Sequence, residues 1–409
     1  MKILIVCQYF YPETFSITDV ALEFIKRGHE VLVVTGLPNY GQRRILDGYQ
    51  DIEDECVHGI RIHRCKLRPR KKGRINAVRN YISFWRSSKR YLKKLDERFD
   101  VVYSMSLSPL ISVVGATMYA RRFGIRHVLH CLDLWPESTV VTGAIHRGSA
   151  SYHLLFHWCR KIYQNLDEIM VSSPSFRSYF DNQLQVKNVP ITYVPQPPVL
   201  AVPSSEIKYT HPFNFVYSGN IGTLQLIEDI VRAAALLKGK LDFQLHLIGM
   251  GTRTEAVKKL IQTLGLENEV IFHGMKSRAD SAAYYKNATA LIVPLKHEGT
   301  VGDTIPNKLT SYLYYGKPIV AVIEGDGRKV LDKSQSAVFS KSESPEDIAQ
   351  AFMDMARLPE EKRAELGRNG EKYFHEHFDL DEIVDEILRH LSAPPAKEVV
   401  DGSTKDVIA

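Results

Sequence analysis

The sequence predicts an α/β protein of two doubly wound domains, and three observations carry that expectation. Short runs rich in Ile, Val and Leu alternate with helical patterns along most of the 409 residues, as parallel strands joined by crossover helices do. A proline-rich segment without periodicity, VPQPPVLAVPSS at 194–205, splits the alternation into two series, which is the composition of an extended connector. In the second series two strands end directly in glycine-bearing loops that enter helices, where open α/β sheets bind their ligands.

The first series runs KILIVC, a helix over 17–27, HEVLVVTG, FDVVYSMS, a helix over 109–123, RHVLHCLD, a helical stretch near 150–166, EIMVSS and ITYVPQ. Six or seven strands make a first domain over 1–195. The second series runs FNFVYSG, a helix over 224–237, FQLHLIG, a helix over 254–264, EVIFHG, a helix near 279–287, ATALIVPL, a helix near 307–315 and KPIVAVI. These place a second domain at 206–378. Beyond them, SPEDIAQAFMDMARL and DLDEIVDEILRHL carry apolar residues at helical spacing. The latter, about 379–392, is expected to pack back on the first domain, and 393–409 to form a flexible tail.

Composition narrows the class. With 44% hydrophobic and 24% charged residues, the chain is neither disordered nor fibrous. Cys7, Cys56, Cys65, Cys131 and Cys159 are scattered without a CxxC pair, so neither a zinc ribbon nor a disulfide framework is indicated and a reducing compartment fits. The opening MKILIVCQYFYPE reads as a buried strand rather than a signal peptide. No apolar stretch reaches the roughly 18 residues of a bilayer-spanning helix, so a soluble protein able to lie on a membrane is expected.

Charge is uneven. Between Arg61 and Arg98 there are 15 Lys and Arg against Asp96 and Glu97, although the whole chain is only +6. Such an excess suggests a polyanionic partner, nucleic acid or anionic lipid. Within it, residues 76–95 interleave Val78, Tyr81, Ile82, Trp85, Tyr91 and Leu92 with Arg79, Arg86, Lys89, Arg90, Lys93 and Lys94. That is a basic amphipathic helix suited to a lipid surface. No recognised nucleic-acid fold accompanies it, so no nucleic-acid partner is expected.

The chemistry concentrates at strand ends. In YSGNIGT (217–223), Gly219, Asn220 and Gly222, and in LIGMGTRTE (247–255), Gly249 and Gly251, stand where backbone N–H groups can approach a phosphate. Arg253 would add a charge-assisted contact to a diphosphate. In GTVGDTIPNKLTSYLYYGKPIVAV (299–322), Lys308 falls in the first turn of a helix, where a cation opposes the dipole unless an anion sits beside it. Ser311, one turn later, could donate to a sugar hydroxyl. In the first half, HVLHCLDLWPES (127–138) brings Asp133, Trp135 and Glu137 to the carboxyl edge of the sheet. His130 lies within that strand and reads as a core histidine. The first strand is followed by QYFYPET, without the G-x-G-x-x-G of a nicotinamide enzyme.

The order SGNIG, LIGMG, FHG, TIPNK and GKPIVA resembles the donor-binding half of family 4 glycosyltransferases. RGHEVLVVTGLPNYG with DLWPES resembles their acceptor half, in the branch that builds bacterial surface polysaccharides. The likeness extends to about His390. It implies a GT-B fold, with two Rossmann-like domains facing across a cleft, and retaining hexosyl transfer without a metal or other cofactor. The donor would be a nucleotide-diphosphate sugar, UDP-sugar foremost, its base held by backbone near Gly274 and Met275. The acceptor would be a polyprenyl-diphosphate-linked saccharide in capsule, O-antigen or exopolysaccharide synthesis.

By the same resemblance, Asp303 and Ser311 occupy the positions of a Glu-x7-Glu pair that meets ribose and sugar hydroxyls, with Thr304 beside them. Relatives place a histidine at the position of Leu132, so Asp133 becomes the substitute that orients the acceptor or stabilises charge at the anomeric carbon. Front-face displacement, with the leaving phosphate taking the acceptor proton, needs no further base. Glu137 and Glu13 are the other catalytic candidates, Glu13 reading equally as a loop-surface residue. No DxD stands at a strand end; the acids of DIEDE and FDLDE read as solvated loop or helix-start positions. Arg86, Lys89, Arg90, Lys93 and Lys94 would hold the protein peripherally at the cytoplasmic face of the cell membrane, on anionic inner-leaflet lipid. Two other functions are compatible with these motifs: a GT-B-type sugar-nucleotide epimerase drawing on Asp133, Glu137 and His130, and a non-catalytic nucleotide-sugar-binding protein, to which Ser311 and Leu132 point.

Overall fold

Strands that read as unbroken apolar runs need cover on both faces, and the computed structural model of the protein supplies it with helices on either side of two sheets. It describes residues 1–40, 44–71, 73–106, 109–141 and 143–394, and the expected tail falls almost wholly outside these. The first sheet comprises β1 (Lys2–Val6), β2 (Glu30–Gly36), β3 (Asp54–Val57), β4 (Ile60–Cys65), β5 (Val101–Ser106), β6 (Arg126–Cys131), β7 (Glu168–Val171) and β8 (Ile191–Tyr193). Their spatial order is β3-β4-β2-β1-β5-β6-β7-β8. Leu4 of β1 lies opposite Leu32 on one side and Val102 on the other, both pairings parallel. The crossovers therefore diverge at β1, which opens a crevice at the carboxyl edge between β1 and β5.

The hairpin of β3 and β4 was not among the expected strands. DECVHGIRIHRC alternates charged with apolar residues and turns at His58 and Gly59, whose φ angles are +50° and +84°, as a tight hairpin requires. Two acids of DIEDE, expected in a solvated loop, thus sit on an edge strand. Asp54 pairs with His63 and Glu55 with the buried Arg64, and such charges protect an exposed sheet edge.

The second sheet comprises β9 (Phe213–Ser218), β10 (Phe243–Ile248), β11 (Val270–Gly274), β12 (Ala290–Pro294), β13 (Ile319–Val322) and β14 (Ala337–Phe339), in the order β11-β10-β9-β12-β13-β14. All pairings are parallel. This is the doubly wound Rossmann order with its switch point between β9 and β12. The short β14 escapes sequence reading because three residues carry too little pattern.

Two features join the halves. The extended connector is fastened to the second domain, where Ser311 Oγ donates to Val199 O at 3.2 Å and Tyr315 Oη to Ala201 O at 2.9 Å. The helix Leu380–Ser392 buries Ile383, Val384, Ile387 and Leu391 in the same apolar cluster as Ile3, Ile5 and Val101. His390 Nδ1 lies 2.7 Å from the buried Glu168, which also pairs with Arg126. Across the cleft, Ile305 N donates to Ser173 Oγ at 2.9 Å, Ser175 N to Asp326 Oδ2 at 2.7 Å, and Arg278 pairs with Asp19 at 3.1 Å.

Candidate active site

Both sheets turn their carboxyl edges to the cleft, so the loops after the strands build its walls. After β9 and β10 the glycine turns interlock: Gly219 N donates to Ile248 O, Ile221 N to Met250 O and Gly249 N to Gly274 O, at 2.8–3.1 Å. Gly249 has φ +126°, and a Cβ there would lie 1.9 Å from Gly219 O, so no other residue fits. Gly219 has φ +150°, and its Cβ would lie 2.8 Å from Lys308 Nζ. The missing side chain leaves room for the ammonium.

This corrects the expected cradle of backbone donors. The N–H groups of Gly219 and Gly249 serve the sheet edge, that of Gly222 meets Gln225 Oε1, and that of Gly251 meets Thr254 Oγ1. The glycines provide close approach, and cations and a helix end must supply the positive charge. The Arg253 guanidinium makes a two-pronged pair with Glu228, at 2.7 and 3.1 Å, clasping the loop to the neighbouring helix.

Lys308 remains. Its Nζ donates to Tyr217 Oη at 2.7 Å and lies 4.0 Å from the centre of that ring. Among the described residues no carboxylate pairs with it. The residue keeps some accessible surface, yet the protein around its ammonium pushes the pKa from the usual lysine range down to about 7. It stands in the first turn of the helix Asn307–Tyr314, whose N-terminus has no side-chain cap. Uncapped N–H groups at that helix start, with a cation in its first turn, favour an anion.

The facing wall is Asp133. It follows β6 and lines a cavity of about 160 Å³ between the domains, with Ser138, Ser172 and Gln196 on its side and Thr304 and Asn307 opposite. Burial alone pushes its carboxyl up to about 7, and no hydrogen bond to that carboxylate is found among the described residues. Sequence reading missed Ser172 and Gln196, although VSSPS and VPQP directly follow strands at this edge, which is the signal that could have found them.

Other expected site residues are used elsewhere. Glu137 is 1% exposed, accepts from Tyr152 Oη at 2.6 Å and Tyr179 Oη at 3.0 Å, and pairs with Arg147. It is a structural carboxylate rather than a catalytic one. Glu137→Gln is expected to cost about 2–3 kcal/mol, the scale of a hydrogen bond to a charged group, read as a lower urea midpoint with nucleotide-sugar affinity unchanged. Glu13 accepts from Asn39 N and Tyr40 N at 2.7 and 2.5 Å; it braces the loop after β2, and burial raises its pKa to about 6. The Ser311 hydroxyl donates to Val199 O of the connector and to Asn307 O, at 3.2 and 3.3 Å. His130 bridges Tyr103 Oη and Val194 O at 3.0 Å each, a satisfied core histidine. Asp303 meets His297 Nε2 at 3.1 Å. Met275 is 67% exposed beside Gly274, and Asn220 is held through its carbonyl by Tyr217 Oη.

Comparison with known proteins agrees with this two-lobed geometry. Residues 15–197 match the family model of the glycosyl transferase 4-like domain, and residues 203–373 that of glycosyl transferases group 1. The chain belongs to glycosyltransferase family 4. This transferase is 25% identical over 352 residues to WcaI of Escherichia coli (strain K12), named as a glycosyl transferase of colanic acid biosynthesis, covering 79% of this chain and 84% of WcaI. Among solved structures, sucrose-phosphate synthase from Thermosynechococcus elongatus superposes with a TM-score of 0.76 at 16% identity, covering 95% of this chain and 98% of that one. Anabaena HepE, solved in complex with UDP-glucose, gives 0.67 at 13%, covering 96% and 99%. The fold of the transferase is therefore GT-B.

The basic helix of the transferase spans Arg74–Lys94 and buries Asn80, Phe84, Ser88 and Leu92, one residue per turn. The buried stripe differs from the expected apolar set: Val78 is 52% exposed and Ile75, near the helix start, 69%. Arg86, Arg90, Lys93 and Lys94 are exposed, and Lys89 is half-buried with its ammonium over Trp85. Among the described residues none of the five pairs with a carboxylate. No helix among them is long and apolar enough to cross a membrane.

Proposed function

We propose that this chain is a retaining, metal-independent hexosyltransferase that moves a sugar from a nucleotide-diphosphate sugar to a polyprenyl-diphosphate-linked saccharide in capsule, O-antigen or exopolysaccharide synthesis. The observation that carries the reading is the uncapped helix start at Pro306 and Asn307, which lines a cavity opposite the unpaired carboxylate of Asp133, with Lys308, a cation without an acidic partner, in the first turn of the same helix. A diphosphate there restores the ammonium to full charge and satisfies the helix end. UDP is the first nucleotide to test, since HepE binds UDP-glucose.

In the reaction, the bond from the anomeric carbon to the leaving phosphate oxygen breaks while the acceptor hydroxyl oxygen bonds on the same face. The acceptor proton passes to that phosphate oxygen. Lys308 and the helix start stabilise the negative charge growing on the diphosphate, and Asp133 stabilises positive charge at the anomeric carbon. An epimerase would need a second acid/base group, and Glu137 and His130 are both engaged in structure. Screening nucleotide sugars for protection against thermal unfolding tests the reading. A true donor at a hundred times its Kd adds about 2.7 kcal/mol, and turnover is expected to persist with EDTA.

The basic helix supports peripheral attachment at the inner membrane face, next to a lipid-linked acceptor. Each cation near anionic lipid contributes about 1 kcal/mol. Neutralising Lys89, Arg90, Lys93 and Lys94 together is expected to weaken sedimentation with phosphatidylglycerol vesicles by roughly a hundredfold or more; unchanged sedimentation contradicts the attachment.

A further inference from the structure

One region of the cleft remains without a role: the outer rim of the first domain, built by the loops after β1, β2 and β4. Its floor is a buried polar chain. Gln8 Nε2 donates to Asn80 Oδ1 at 2.7 Å, and Asn80 Nδ2 donates to Asn39 Oδ1 at 3.1 Å and Arg68 O at 2.6 Å. Arg70 N also donates to Asn39 Oδ1, at 3.1 Å. Gln8, Asn39 and Asn80 are each at most 5% exposed, so this chain locks three loops and the basic helix into one arrangement. Such support beneath a surface is what holds recognition side chains in place.

Above the floor stand aromatic rings and one cation. Tyr40, 50% exposed, meets Tyr9 and Phe15 edge-on, each at 5.1 Å between ring centres, and Tyr9 stacks on Phe15 at 5.3 Å. The Arg70 guanidinium lies 5.9 Å from the Tyr40 ring centre and 5.5 Å from that of Tyr81. Among the described residues no carboxylate pairs with Arg70. Rings hold the planar fork while leaving it unneutralised, and a guanidinium so presented suits two-pronged contact with phosphate. Gln8 Oε1, buried without a hydrogen-bond partner among the described residues, borders a space of about 10 Å³ with Tyr9, Ser106 and Ser112, room for one water at most, and belongs to the floor.

We propose that this rim recognises the acceptor, with Arg70 holding its phosphate and Tyr40 stacking on a sugar ring. The proposal rests on the transferase reading above and names the class of acceptor. Arg70 lies beside Tyr40, and Tyr40 beside Tyr9, so cation and rings form one surface, and the fitting acceptor is a saccharide that carries a phosphate.

The test is calorimetric titration of inorganic pyrophosphate into the full chain, Arg70→Gln, Lys308→Ala and the double variant. Two sites are expected in the native protein, one in each single variant and none in the double. Both sites intact in Arg70→Gln, or a single native site that only Lys308→Ala removes, overturns the proposal. Arg70→Lys keeps the cation and is expected to bind at least tenfold more weakly rather than not at all, which separates a lost contact from a lost fold. Phosphatidylglycerol vesicles separate the two sources of phosphate: Arg70→Gln is expected to sediment as the native protein does. A loss equal to that of the helix-neutralised variant would assign Arg70 to the membrane and overturn the proposal. If Lys308→Ala leaves both sites, the donor assignment fails by itself while Arg70→Gln still decides the acceptor rim.

Discussion

Replacing Lys308 by alanine is expected to weaken nucleotide-sugar binding by roughly 10- to 150-fold, the range for losing a hydrogen bond to a charged group at about 1.5–3 kcal/mol. The fold is expected to survive. Lys308 touches Tyr217 and no acid, so its removal leaves no buried charge behind and relieves one that burial disfavours. The pH dependence is the sharper readout. With the free ammonium near pKa 7, protonated Lys308 predominates below that value, and a bound diphosphate raises its pKa by favouring the charged form. Affinity should therefore be highest below pH 7 and fall as pH rises above it, by up to tenfold per unit, until the pKa of the complex is reached. Lys308→Ala should abolish that slope. A native protein whose donor Kd is flat between pH 6 and 9 would contradict the assignment.

Asp133→Asn is expected to lower kcat by roughly 10²- to 10³-fold, as loss of one preorganised electrostatic group does, while donor affinity stays within a few-fold. Asparagine preserves shape, so the cavity should persist. The carboxyl is pushed up to about 7 by burial, and its role requires the ionised form. Turnover of the native protein should therefore rise with pH through about 7, opposite in sign to the donor affinity governed by Lys308. The two limbs combine into a bell-shaped profile of kcat/KM. In Asp133→Asn the rising limb disappears and the falling one remains. An unchanged profile with unchanged kcat would remove Asp133 from the chemistry.

Much of the architecture was legible because periodicity is a local property. KILIVC, HEVLVVTG, FNFVYSG and FQLHLIG are apolar over their whole length, which marks strands covered on both faces, and their alternation with helical segments dictates parallel connections. The β3–β4 hairpin was not legible in the same way. An edge strand need bury only one side, so its charged residues resemble a loop until Arg64 and Glu55 are seen to pair across it.

The site was legible by place more than by role. Asp133 and Thr304 line the interdomain cavity, and Lys308 stands in the first turn of the helix whose start lines it, because strand ends and helix starts converge at one sheet edge. Glu137, Glu13, Arg253 and Ser311 lie close by yet are engaged: with two tyrosines and Arg147, with backbone N–H groups of residues 39 and 40, with Glu228, and with the connector. Nothing in the linear order of residues reveals those partners, since each pair is brought together by chain segments far apart or by the exact direction of a side chain.

What the amino-acid order determined alone is the succession of strands and helices, the break between the two lobes, and the residue types held at each strand end, all of which follow from local propensity and the spacing of apolar positions. What only the tertiary structure decided is which polar groups remain unpartnered. That distinction is physical: a carboxylate or cation neutralised within a few ångströms is part of the scaffold, whereas a half-buried one without an opposite charge, as Asp133 and Lys308 are, keeps its electrostatic demand for a ligand.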